Sequence, residues 1–147
     1  MPSAPRPLPS ALTVSGPLGE RDLLRAVKVM EKAAGEIAMR VKHDYLKQYF
    51  QRRAFELAMT RSWLKKLVPE DHTDEPVHSF QCDGEEECVT YFLKLTRAYD
   101  ALARELLAHD RLNPFLSSSL CSELKELSRH RRCLQALQAS LKLHQSA

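Results

Sequence analysis

His72, His78, Cys82 and Cys88 lie within 17 residues of one another, and imidazole and thiolate are the groups that hold zinc. Structural zinc sites usually bring their ligands in tight Cys-x-x-Cys or His-x-x-x-His pairs, and this chain has none. The expectation is therefore that no metal is bound, with His78, Cys82 and Cys88 as the ligands to consider if one were. Cys88 also continues a helical apolar stripe, where a thiol serves as a small hydrophobe. The same region carries eight acids between positions 69 and 88. It lacks the alternating Asp-x-Asp-x-Asp with a glycine at the offset that a calcium loop requires.

The second cluster is basic: Arg129, His130, Arg131 and Arg132 are consecutive. Such a run can meet phosphate, an acidic partner or the acidic segment of its own chain, or it can be a solvated helix flank. No glycine-rich phosphate loop, nucleophile elbow or His-Glu-x-x-His motif occurs. The histidines at 43, 72, 78, 109, 130 and 144 fall on expected loops, caps or exposed faces. The chain reads as non-enzymatic and without a cofactor.

Whatever these residues do, helices must position them. From Glu20 to Val68 there is no proline and one glycine, Gly35, among many strong helix formers. Leu23, Val27, Met30, Ala34, Ile37 and Val41 recur in steps of four and three, which keeps them on one stripe. Arg21, Arg25, Lys28 and Lys32 fall opposite as a basic ridge. Beyond His43, Leu46, Phe50, Ala54, Leu57 and Leu64 take one side while Tyr45, Phe55, Met59 and Trp63 hold the other. A helix apolar on two faces is expected to be buried on both, so residues 45–67 are the expected centre of the core. Tyr45, Tyr49, Phe50 and Trp63 then read as core aromatics.

This switch of face allows two architectures. In the favoured one the chain turns near 40–45, giving four helices at about 20–42, 45–67, 85–110 and 117–143 in an all-α bundle. In the alternative, 20–67 is one long helix that projects as a coiled coil, followed by a C-terminal helical hairpin. Asp83 with Glu86 suggests a capping box before the third helix, whose Cys88, Phe92, Leu95, Tyr99, Leu102 and Leu106 form its stripe. Asn113-Pro114 signals a turn, and Ser117 to Ser119 offer caps for the last helix. Its stripe is Leu120, Leu124, Leu127, Leu134, Leu137 and Leu141.

Five prolines among residues 1–19 describe a disordered tail. Residues 20–144 then form one domain with an acidic loop at 69–84. A net charge of +3 is too mild to demand nucleic acid or membrane, but it is unevenly spread: by formal count +6 over 20–68 and −8 over 69–88. No apolar run is long enough to span a bilayer, and the N-terminus has no secretory h-region, so a cytoplasmic or nuclear location with four reduced cysteines is expected.

The functional expectation is an adaptor or complex subunit that binds another protein, with an acidic or helical surface, by helix packing. Arg21, Arg25, Lys28, Lys32, Arg129, Arg131 and Arg132 would meet it, and an oligomer is compatible with the sequence. No small-molecule substrate is expected. The alternatives are a secreted four-helix cytokine-like ligand, which would pair the cysteines as disulfides, and a basic helical module for nucleic acid or anionic membrane, which the −8 segment disfavours.

Overall fold

The computed structural model describes residues 8, 9, 12, 19–68, 84–108 and 112–145, with the side chains of 144 and 145 excepted. Four helices account for nearly all of them: α1 (Glu20–Arg40), α2 (Asp44–Leu67), α3 (Glu85–Leu107) and α4 (Pro114–Gln145). The chain is an all-α four-helix bundle, and 20–67 is two helices, so the single long helix is excluded. The break needs neither glycine nor proline. Val41 leaves the helix in extended conformation at ψ 143°, and His43 caps α2 by accepting the Tyr45 amide on Nδ1 at 3.3 Å. Val41 and Leu46 are both buried, so apolar burial on either side of the turn holds it.

The last helix starts three residues before the expected position. Asn113 is its cap, with Oδ1 accepting the Phe115 amide at 2.9 Å, and Pro114 occupies the first helical position, where its missing N–H costs nothing. At the other helix starts, Asp22 accepts the Gly19 amide at 2.8 Å, and Glu85, Glu86 and Glu87 occupy the first turn of α3, where the dipole favours acids.

Contacts along the helices set the topology. Leu23 shares a cleft wall with Leu64 and Glu31 pairs with Arg61, so α1 and α2 are antiparallel. Gln138 bonds Thr90 at 2.8 Å and Arg131 reaches Asp100 at 3.5 Å, so α3 and α4 are antiparallel too. Phe50 and Phe92 meet edge to face with centroids 5.2 Å apart, and farther along both helices Leu64 and Tyr99 line one cleft. That preserved order makes α2 and α3 parallel. The bundle therefore has two short connections and one long crossover between α2 and α3.

The core inverts the expected roles of the first two helices. α1 buries nine side chains from Leu23 to Ala38, packing against both α2 and α3. Its Ala26, Ala33, Ala34 and Ala38 are small enough to let two neighbours approach. α2 buries one stripe, with Leu46, Phe50, Leu57 and Leu64 inward, while Tyr45, Phe55 and Met59 are 57%, 65% and 60% exposed. The expectation of two-sided burial for 45–67 is thus corrected: of its second apolar face only Trp63 packs against the core, while Tyr45, Phe55 and Met59 stay exposed. The expected stripe of α3 is buried throughout. On α4, Leu120, Leu127 and Leu134 are buried, while Leu124, Leu137 and Leu141 pack half-buried against them.

Of the proline-rich segment, Leu8, Pro9 and Leu12 are described together with Gly19. Leu12 is buried in the core and its amide bonds the Pro9 carbonyl at 2.9 Å. The rest of the expected tail, and the acidic loop up to residue 83, lie outside the described residues.

Candidate functional site

Tyr49, Arg53 and Glu56 follow one another at four and three residues, which puts all three on one stripe of α2. That stripe faces α4, whose backbone stands off from α2, and side chains bridge the gap. The Tyr49 hydroxyl lies 2.9 Å from His130 Nδ1, and His130 Nε2 lies 3.3 Å from Glu56 Oε2. The pairing settles the tautomer: Nε2 carries the proton and donates to the carboxylate, so Nδ1 accepts from the tyrosine. Burial, with the Arg53 guanidinium beside it, lowers the His130 pKa from 6.5 to about 4, so the ring is neutral at pH 7. Burial also pushes the Tyr49 hydroxyl up, which keeps it a donor.

His130 is only 6% exposed, against the expectation that every histidine lies on a loop, cap or exposed face. Its neighbours in the basic run divide by helix face. Arg129 pairs with Glu126 and is exposed, Arg131 is half-buried against Asp100, and Arg132 is exposed. A helix cannot present four consecutive residues to one surface.

Arg53 is the centre of this seam. It is 2% exposed, reaches Glu56 Oε2 at 3.5 Å through Nη1, and leaves Nε and Nη2 buried without a hydrogen-bond partner. Its charge acts on Tyr49, Tyr99, Glu123 and His130. A buried guanidinium with one long ion pair is costly unless other groups compensate it.

Next to the seam a cleft of about 400 Å³ opens among the helices. Met59, Trp63 and Leu64 of α2 form an apolar wall, with Leu23 of α1 beyond, while Ser118, Ser119 and Ser122 of α4 face them. Tyr99 and Glu123 also line it. Tyr99 is completely buried. Its hydroxyl and the Glu123 carboxyl act on each other as hydrogen-bond donor and acceptor at loose geometry. Burial raises both groups' pKa values, that of Glu123 against the opposing pull of Arg53. No sequence period pointed to this cleft, because Tyr99 sits on the α3 stripe like any core aromatic.

The expected basic ridge holds one flank of α1. Arg21 and Lys32 are exposed, Arg25 and Lys28 half-buried, and Arg21, Arg25 and Lys32 have interaction partners. The expected ligand cluster does not assemble as thiolates. Cys88 is disulfide-bonded, and His78 and Cys82 lie outside the described residues. The expectation of four reduced cysteines is corrected accordingly, with Cys121 and Cys133 free. Burial raises the Cys133 pKa, the opposite of what activates a thiol. Among the described residues no three His, Cys, Asp or Glu side chains converge as a metal site, and no helix is long and apolar enough to cross a membrane. Compared with models of protein families, with curated proteins and with solved structures, the chain matches none.

Proposed function

We propose that this chain is a non-enzymatic interaction module that docks another protein on the outer face of α2 and the adjoining start of α4. The observation that carries the reading is the exposure of Tyr45, Phe55 and Met59, which lie within an arc of about 80° on α2. Phe115, 76% exposed, stands one turn before the serines of the cleft wall on α4. Single exposed hydrophobes are ordinary, but large ones aligned along a helix and continued across a seam mark a binding surface. An amphipathic partner helix is the matching shape, since its anchors at three- and four-residue steps fit a groove between two helices. The basic ridge of α1 adds a positive field that draws an acidic partner whether or not its side chains are also paired locally.

The double replacement F55S/M59S tests this. It removes exposed apolar area, so the thermal midpoint should hold or rise. In affinity capture from the native source, a protein retained by the wild type should be lost. Equal retention of that protein by the variant would refute the reading.

A second reading, a secreted helical ligand, is favoured by the disulfide at Cys88, because such bonds persist in oxidising compartments. The single crossover counts against the cytokine-like form of it, whose up-up-down-down topology needs two long connections.

A further inference from the structure

We propose that the outer face of α2 pairs with the same face of a second copy of this chain, the two helices lying antiparallel about a two-fold axis at Phe55. The inference rests on the docking-face reading and names what covers the α2 part of that face.

Counting outward from Phe55 along the exposed side of α2, residues come in pairs at equal distances. Gln51 and Met59 lie four residues away, Gln48 and Ser62 seven, and Asp44 and Lys66 eleven. All of them are exposed, and at about 100° per residue they fall within an arc of about 80°. A two-fold axis through Phe55 therefore sets each residue against the other member of its pair on the second copy, which is an isologous contact. Phe55 meets its own counterpart there, Met59 covers the stem of Gln51, and Gln48 reaches the hydroxyl of Ser62.

Charge selects the direction. Asp44 stands in the first turn of α2 and Lys66 in the last, a polarity that the helix dipole favours. Among the described residues no ion pair holds either of them. Antiparallel pairing puts each Asp44 against the Lys66 of the other copy, at both ends of a contact about 33 Å long. Parallel pairing sets like charge on like. Along the flank nearer α4, Arg52 and Glu56 pair within the chain, and the axis brings each within a turn of the opposite charge on the other copy. Lys47 and Lys65 lie about 80° off the stripe on the far flank, where they stay in solvent. The contact is one helix wide, less than the roughly 800 Å² per partner of a standard stable interface, so the dimer is weak and reversible.

Sedimentation equilibrium of the full-length protein tests this, with exposed Cys121 alkylated so that no intermolecular disulfide contributes. The wild type should show a monomer–dimer equilibrium with Kd of roughly 100 µM. Asp44→Lys and Lys66→Asp should each weaken it by about tenfold, because either one sets like charges at both ends of the contact. Mixed in equal amounts, the two variants should pair with each other as tightly as the wild type, since one copy then presents lysine at both ends and the other aspartate at both. Loss of helix stability cannot produce that recovery, because the same chains are present alone and mixed.

A wild type that stays monomeric at about tenfold above that Kd, single variants that dimerise like the wild type, or a mixture no tighter than its components would overturn the proposal. If a charge reversal unfolds α2, Phe55→Ser decides: loss of the dimer supports the pairing and an unchanged dimer refutes it. A monomeric wild type whose captured protein is still lost on F55S/M59S refutes self-pairing alone, so its failure and failure of the docking face are separable.

Discussion

His130 connects α2 and α4 as a neutral ring, because burial and Arg53 disfavour its protonated form, and this makes the bundle's stability depend on pH. Its folded-state pKa of about 4 lies below the ordinary 6.5, so between those values the unfolded chain holds a proton that the native chain does not. Stability from this residue is therefore full above pH 6.5 and declines as pH falls towards 4, by roughly 3 kcal/mol in all. Glu123 acts with the opposite sign, since a raised carboxyl pKa gives the native state the extra proton. His130→Gln retains a neutral hydrogen-bonding side chain and leaves Glu123 in place, so the difference between the two proteins isolates His130. The thermal midpoint of the wild type should fall faster than that of the variant between pH 7 and 4.5; parallel curves would mean that the imidazole is not held neutral. At this scale the sequence discloses least. His130 stands between arginines, and nothing in Arg-His-Arg-Arg says that the second residue turns inward while the others reach solvent or Asp100. Burial of one residue in a charged run is a decision of the neighbouring helix, which a single-chain pattern does not contain.

At the scale of elements, periodicity carries most of the fold. The stripes of α1 and α3 are where their four-and-three steps put them, and α1 and α3 start at Glu20 and Glu85 as expected, although the cap of α3 is Gly84, without a side-chain bond, and not the Asp83 of the expected capping box. Two features were not legible for identifiable reasons. Asn113-Pro114 serves equally as a turn or as a cap followed by the first helical residue, so the pattern alone does not fix the start of α4 at Pro114. The two apolar faces of α2 look alike in sequence, and only the packing of α1 against both α2 and α3 decides which of them is covered. This gives an unequal pair of substitutions. Leu57 is completely buried, so Leu57→Ala should cost about 2–5 kcal/mol, whereas Phe55→Ser on the other face should change stability by less than about 0.5 kcal/mol. Chemical denaturation of both variants checks the assignment, and a large loss at Phe55 would restore two-sided burial.

For the molecule as a whole, the parallel relation of α2 and α3 leaves the seam between α2 and α4 bridged by long polar side chains instead of packed by backbone. That seam holds the Tyr49–His130–Glu56 chain, the buried Arg53 and the cleft, and its outer edges carry Phe55, Met59 and Phe115. Legibility at this scale is mixed: helix count, the long second connection and the two antiparallel pairs set by short connections are readable, but the parallel relation of α2 and α3 is not, because a long connection allows either direction. The cysteines show the same limit, since the missing h-region suggested reduced thiols and Cys88 is bonded. The central claim is that the α2/α4 surface is where another protein sits. The most direct measurement is photo-crosslinking in the native source, with a photoreactive side chain placed at Phe55, at Phe115 or at exposed Arg97 on α3. The account predicts one adduct of the same mass from positions 55 and 115 and none from 97. No adduct at either aromatic position, or the same adduct from all three, would contradict it.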